Sequence, residues 1–477
     1  MLLRRPALRY ISPVAILVFC LGCSTSSPAP SGTAKSTPPP AKQPLQLLVV
    51  DDPQLGAAIA REWKSRTEGV LDVQNVALDK VLAASRLPAD AVIYPAGYVG
   101  HLVERGLIQP LDDEHLAAGD FDRREIFDLV RLREISYGNR TVAVPLGSPQ
   151  LLLVYRRDVF EKLGLSPPTD WQAYRQVVDR LAAAGKDASM PQTPTIEPLA
   201  AGWAGQLLLA RAAAYASHRN QVSALFSYRT LEPLIGTPPY VRALEELVAA
   251  NKQASPERRL TPHAVLAEVA EGRAAMGIAW PSPAPKNPPA AAAPLGFGLL
   301  PGSPVAYDFT HETWDEREAN DARQAPLLSI AGRLGSVTTT TANPRDAQNF
   351  LAWLAGKDVS AAVCPTSSET TLFRDSHLAG ATSWTGGLNA ESSQGYAAAL
   401  ARSAALERYV SLRLPGRGEY LQALDEAVWA ALAEEKSPAE ALQAASARWQ
   451  EITQTLGQPR QLRALRRSLG MEDLAPR

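Results

Sequence analysis

The feature that most constrains this chain is an alternation of short apolar runs with segments of helical spacing, beginning at Leu45. Leu45–Val50 reads LQLLVV, a continuous apolar run of strand length, which fits a strand covered on both faces. Leu55, Ile59, Ala60 and Trp63 then fall on one side of a helix. Residues 70–76 form a second strand, and Val81, Leu82 and Ala84 mark a short helix. Residues 91–94 (AVIY) form a third strand, stopped by Pro95, Ala96 and Gly97, and residues 99–105 form a helix ended by Gly106. This order predicts a mainly parallel sheet with helices on its faces, an open α/β design. Ligands in such sheets gather beyond the carboxyl ends of the strands, which points to Asp51, Asp52, Tyr94 and Gly97. Gly97 would let a ligand approach the backbone closely. Asp51 and Asp52, read as neighbours on a strand, should face opposite sides and not act together.

With 477 residues the chain exceeds one ordinary domain, and 46% hydrophobic against 20% charged residues supplies a core and rules out wholesale disorder. Lys plus Arg is 48 and Asp plus Glu is 49, so nothing draws the molecule toward nucleic acid. The amino terminus has its own logic. Arg4, Arg5 and Arg9 precede an apolar stretch over residues 11–21, followed by Gly22-Cys23, the layout of a secretory signal. The run is too short for a membrane span, which needs about 20 residues. Its end resembles a bacterial lipoprotein signal, although Cys20 stands where Leu is usual. That resemblance implies removal of residues 1–22, acylation of Cys23 and a place in the cell envelope, on the periplasmic or extracytoplasmic face. Ordinary secretion with an incidental Cys is the alternative. Removal takes away three Arg and no acid, moving the net charge from −1 to −4. Cys364 is then the only thiol besides Cys23, which excludes an intramolecular disulfide and a zinc–cysteine cluster if Cys23 is acylated. Residues 24–44 hold six Pro and almost no apolar side chains, and read as an extended tether of up to ~65 Å.

A change of text begins at Tyr137. Tyr137-Gly138-Asn139-Arg140-Thr141 is a turn, and residues 142–145 and 151–155 are strands on either side of a polar link, Gly147-Ser148-Pro149-Gln150. Residues 157–163 then form a helix, Gly164 stops it, and a Pro-rich loop leads to a fresh helix at Trp171. This passage closely resembles the solute-binding proteins of bacterial ABC importers, in the carbohydrate-type family that includes maltodextrin-binding protein. Four other stretches resemble the family in the same order: 89–112, 271–281 (EGRAAMGIAWP), 343–354 (NPRDAQNFLAWL), and 437–442 with Trp449. The resemblance implies a two-lobed periplasmic-binding-protein fold of the α/β class. Hinge crossings are expected at 147–150, at 304–324 and near 376–393. The lobes would be 45–150 with 326–377, and 151–325 with 378–477. Residues 284–294, rich in Pro and Ala, read as an exposed loop.

Binding a sugar takes planar hydrogen-bonding groups and aromatic rings that stack on its CH faces. The family pattern places such a ring at Trp280 and often one at Trp203, each with a packed core Trp as the alternative. Ser148 and Gln150 lie in the hinge link, where a polar side chain would face both lobes, with plain turn chemistry as the equal alternative. Arg333 stands where the family often has an aromatic or small residue, and hints at an acidic or heavily hydroxylated ligand, with a solvated surface Arg as the commoner alternative. Trp63, Trp171, Trp353, Trp429 and Trp449 have helical spacing and apolar neighbours, and read as core. No catalytic set emerges. The six His (101, 115, 218, 263, 311 and 377) are scattered without paired ligand spacing, and there is no nucleophile elbow or phosphate loop. Neither a cofactor nor a metal is expected. The leading expectation is therefore a monomeric, lipid-anchored binding protein that captures a small polar solute, in all expectation a carbohydrate, and delivers it to ABC permease subunits. A degenerate homologue acting as sensor or envelope scaffold, and a secreted glycan-processing enzyme, remain as alternatives.

Overall fold

The computed structural model describes residues 44–117, 121–185, 187, 190–252, 259–281 and 293–474. The signal segment, Cys23, the tether up to residue 43 and most of the 284–294 loop lie outside the described residues.

The first apolar runs form strands β1 (Leu45–Val50), β2 (Leu71–Val76) and β3 (Ala91–Pro95). Between β1 and β2 runs the helix Pro53–Arg66. Asp52 caps it, accepting the Leu55 N–H at 3.1 Å, and Pro53 occupies the first helical position, where its missing N–H costs nothing. A small hairpin, β4 (Ser136–Tyr137) and β5 (Arg140–Thr141), turns through Gly138 and Asn139, both at positive φ. The strand expected over 142–145 is shorter, β6 (Val144–Pro145). Then come β7 (Leu152–Arg156), β8 (Thr193–Ile196), β9 (Ala274–Ala279) and β10 (Leu295–Gly298). A second hairpin pairs β11 (Val305–Asp308) with β12 (Thr313–Glu316), followed by β13 (Leu327–Leu328), β14 (Arg333–Val337) and β15 (Val410–Ser411).

The strands build two main sheets. The first has the order β2-β1-β3-β14-β6 and the second β10-β7-β9-β8. In the first, β1 runs parallel to β2 and β3, with Val49 opposite Asn75 and Ile93, while β14 is antiparallel to β3 and β6. Helices cover both sheets, and the sheet interiors are closed to solvent at Val49, Ile93, Val154 and Ile278. Trp171 and Trp449 are buried, and Trp449 stacks on Phe226 with ring centres 4.8 Å apart. Trp63, Trp353 and Trp429 are only partly buried and pack on the margins of the core.

The link at 147–150 joins β6 of the first sheet to β7 of the second. The stretch expected as the second crossing, 304–324, holds the β11–β12 hairpin, which packs on the helix Ala204–Ala216. The passage back to the first sheet runs instead through 325–332, because β14 begins only at Arg333. Asp375–Trp384 forms 3-10 turns, and the helix Ala390–Ala404 beyond it packs on β10, with Ser392 Oγ donating to the Leu295 carbonyl at 3.0 Å. The last helix, Gln458–Ser468, belongs to the segment expected in the second lobe, yet it packs on the helix Val99–Glu104, and Tyr137 Oη donates to the Ala464 carbonyl at 2.9 Å.

The two passages meet backbone to backbone. Leu146 N–H donates to the Arg333 carbonyl at 2.9 Å, and Arg333 N–H to the Gly147 carbonyl at 3.3 Å. Gly332 stands at φ +92°, and a Cβ there would lie 2.4 Å from the Gly147 carbonyl oxygen. Glycine at 332 is thus required twice, by its left-handed backbone and by the closeness of the crossing chains.

Candidate functional site: the cleft between the sheets

A cavity of about 490 Å3 opens where the first sheet's strand ends face the second sheet's helices. Its first wall is built from Asp51 and Asp52 after β1, Gly97 and Tyr98 after β3, and Ser329, Ile330, Ala331 and Arg333 of the returning passage. Its second wall is Trp203, with Arg417 beneath. A larger hollow of about 980 Å3 lies between the helices Trp171–Ala184 and Pro238–Ala250, but its walls all come from the part of the chain around the second sheet, away from the meeting of the two sheets.

Trp203 is half-buried at the start of the helix Ala204–Ala216. Its place is fixed from outside that helix. Asp425, 4% exposed, accepts the N–H of Gly202 at 2.6 Å and of Gly205 at 2.7 Å, one on each carboxylate oxygen. Burial pushes the Asp425 carboxyl above its ordinary value, and the two backbone donors partly offset this. Trp280, the other ring the sequence put forward as a stacking surface, is fully buried and lines no part of the cavity. It lies behind Trp203, ring centres 5.0 Å apart, with His263 on another side at 5.1 Å. Strand β9 is covered on both faces, so the residue that ends it stays inside, while Trp203 at a helix start reaches the opening.

The polar side of the cavity is rigid. Asp52 Oδ2 lies 3.3 Å from Arg333 Nε, with both side chains buried, and accepts a hydrogen bond from Ser367 Oγ at 2.5 Å. Arg333 therefore lines the cavity, as the sequence suggested, but with its charge already balanced. Of the two cations that line the cavity, Arg417 is the one given no carboxylate partner among the described residues. Its Nε donates to the Leu412 carbonyl at 3.1 Å, and its Nη2 to Gln206 Oε1 at 2.9 Å and the Ser329 carbonyl at 3.1 Å. Burial draws its pKa below the ordinary guanidinium value.

Gly97 lines the cavity for a reason other than the expected one. A Cβ there would come within 2.4 Å of Arg417 Nε, so the glycine admits the guanidinium, not the ligand. Tyr94 is fully buried inside the first sheet, Oη 2.8 Å from Ser336 Oγ, and does not reach the cavity. Ser148 and Gln150 are buried in the crossing itself: Ser148 Oγ donates to Glu134, and Gln150 Oε1 accepts from Ser403. The second passage covers the link, so neither side chain faces the opening. Asp51 and Asp52 both line the cavity, contrary to the opposite-face argument. Strand alternation ends at Val50; Asp51 sits at φ +49° and Asp52 is a helix cap. Tyr98, Ser329, Glu369 and Arg417 were not singled out from sequence. Only Arg417, within Pro415-Gly416-Arg417-Gly418 at a helix start, carried a local signal.

Glu134 joins the two passages. Fully enclosed, it accepts Ser148 Oγ from the first and, on Oε1, Ser329 N–H at 2.8 Å and Ser329 Oγ at 3.1 Å from the second. Burial raises its pKa, with the Ser148 and Ser329 hydrogen bonds pulling the other way. A carboxyl whose folded value exceeds its unfolded value binds its proton more tightly when folded. Its stabilising contribution is whole below the ordinary value of 4.5 and is lost as pH rises through the folded value. Glu134→Gln stays neutral and should remove this slope, so urea midpoints measured from pH 4 upward should fall less steeply for the variant than for the parent. Equal slopes would show that Glu134 does not titrate differently on folding.

Residues 69–361, more than half of the chain, match the family model of the bacterial extracellular solute-binding proteins. The chain belongs to that family. Solved solute-binding proteins share its architecture. The sugar-binding protein MalE of Xanthomonas citri aligns with a TM-score of 0.64 at 16% identity, covering 86% of this chain and 98% of that one. An ABC transporter solute-binding protein of Agrobacterium radiobacter in complex with ribitol gives 0.59 at 18% identity, covering 85% and 98%. One of Agrobacterium vitis with bound D-mannitol gives 0.57 at 17% identity, covering 87% and 99%. The fold is therefore the two-lobed binding-protein architecture that the motif order implied, and the cavity lies between its two sheets.

Proposed function

We propose that this solute-binding protein captures a sugar or polyol in the cavity between its lobes and passes it unchanged to the permease of an ABC importer. The lobes would be residues 45–150 with 326–377, and 151–325 with 378–457, with Gln458–Ser468 returning to the first lobe. Acylated Cys23 and the Pro-rich tether would hold the body near the membrane. One observation carries the reading: a half-buried indole, Trp203, faces fixed hydrogen-bonding groups from the opposite lobe across about 490 Å3. An apolar plate opposed by charge-assisted donors and acceptors is what a ring with CH faces and hydroxyl edges requires. Ligands named for solved relatives, ribitol and D-mannitol among them, are of that chemistry.

The same groups support binding without turnover. Asp52 is held by Arg333, Ser367 and the Leu55 N–H, which makes it a fixed acceptor. The test is thermal unfolding of the full-length chain with ribitol, D-mannitol, maltose and maltotetraose. A ligand present at 100 times its Kd should add about 2.7 kcal/mol of stability, and be recovered intact afterwards. If none of these compounds shifts the transition at millimolar concentration, the sugar or polyol assignment falls. Conversion of any of them would establish an enzyme instead.

A further inference from the structure

The described histidines look scattered in sequence, but the fold gathers two of them with two carboxylates, far from the cleft. His218 lies just past the end of the helix Ala204–Ala216, and the hairpin β11–β12 folds over it. His218 Nε2 is 3.3 Å from Asp315 Oδ2, and His218 Nδ1 is 3.8 Å from Asp308 Oδ2. One donor atom each from His218, Asp308 and Asp315 lies within 4.8 Å of the others. His311, in the hairpin turn, brings its Nδ1 to 3.0 Å from the same Asp308 oxygen.

We propose that His218, Asp308 and Asp315 form a site for a first-row divalent metal ion of the zinc type, with His311 as a further nitrogen ligand available from the turn.

Four features support this. His218 and Asp308 are 4% and 3% exposed, so these are not surface acids that merely drift together. Asp308 is aimed: its Oδ1 accepts the N–H of Thr310 at 2.7 Å and of His311 at 3.3 Å, which leaves Oδ2 turned toward both imidazoles. Asp315 lies at Nε2 and Asp308 at Nδ1 of the same ring, so two carboxylates share one imidazole, and an ion held through one of its nitrogens would supply the positive charge that they lack. Imidazole with carboxylate is a mixed nitrogen–oxygen set, suited to zinc and its neighbours and poorly suited to calcium or magnesium, which take oxygen. Metal–ligand bonds of about 2.0–2.2 Å place neighbouring donors roughly 3.3 Å apart, so donors now within 4.8 Å of one another need to close by up to about 1.5 Å. Asp315 can provide that movement, since its side chain is 40% exposed on the outer strand of the hairpin. That exposure also leaves room for water as a remaining ligand. The Asn220 N–H, which now reaches His218 Nδ1 at 3.2 Å, belongs to an exposed residue and can turn to solvent when the imidazole binds an ion.

The ion would pin the hairpin to the far end of the helix that begins beside Trp203. The test uses the full-length chain, stripped with a chelator and with its thiols alkylated so that Cys20 and Cys23 cannot bind metal. Calorimetric titration with Zn2+ should give one saturable site, Mg2+ and Ca2+ should not compete, and Co2+ should give visible ligand-field bands. Asp315→Asn, at a partly exposed position on the outer strand of the hairpin, should weaken Zn2+ at least tenfold, and His218→Ala should abolish the site. His115→Ala, at a half-buried position that pairs with Asn349 and not with the hairpin, should leave binding unchanged. Absence of a saturable Zn2+ site in the parent chain, or equal affinity in the parent and Asp315→Asn, would overturn the proposal.

Discussion

Glu197→Leu will destabilise the protein by about 3–5 kcal/mol, the cost of leaving one member of a buried ion pair alone. Glu197 and Arg211 are each 1% exposed and form a salt bridge in which both carboxylate oxygens take part. Tyr174 Oη donates to Glu197 Oε1 at 2.7 Å and Asn251 Nδ2 to Oε2 at 3.2 Å, while the Arg211 guanidinium lies over the Trp171 ring at 4.2 Å. Leucine fills much of the space but leaves the guanidinium, the phenol and the amide facing an apolar group. Glu197→Leu combined with Arg211→Met should recover most of the loss, because removing a whole buried pair is commonly near neutral. Urea unfolding of the parent and the two variants separates these terms. A single variant that unfolds with the parent's midpoint would mean that water or another group reaches Arg211. Glu197 directly follows β8 and precedes the loop to Trp203, so the destabilised part is the platform of the cleft.

The scaffold was legible because local pattern and burial agree. LQLLVV in β1 and AVIY in β3 are apolar throughout because helices cover both faces of the sheet, and Gly106 stops a helix where its φ of +66° demands it. The ordered motifs from residue 89 to 449 named the family for the same reason, since they mark strand ends, helix starts and crossings. The cleft was less legible. Trp203 and Trp280 both adjoin an element boundary, and which of them faces out depends on how strand β9 is covered, a fact of packing and not of spacing. Tyr94 was put forward because it ends the third strand's apolar run, yet the sheet buries it and the next turn presents Tyr98. Arg417 lies some three hundred residues from Gly97, whose missing side chain makes room for it, and no local pattern connects them. Likewise His218 meets Asp308 and Asp315 only through the hairpin's docking.

Trp203→Ala should lower affinity for the sugar or polyol by roughly thirtyfold, about 2 kcal/mol, while leaving the fold in place. Three observations set the direction. The ring is the apolar wall of the cavity; its backbone is held by Asp425 through the N–H groups of Gly202 and Gly205, which the substitution does not touch; and Trp280 behind it keeps the floor closed. Because Trp203 is half-buried already in the open cavity, truncating it removes less core area than truncating the enclosed Trp280 would. Trp280→Ala should therefore lower thermal stability more and affinity less than Trp203→Ala, a crossed pattern that a simple loss of packing cannot give. Calorimetric titration and thermal unfolding of both variants, with whichever compound stabilises the parent chain, read the two quantities separately. If Trp280→Ala loses binding while Trp203→Ala retains it, the solute does not stack where the cavity opens, and the recognition surface lies deeper, behind the ring that now covers it.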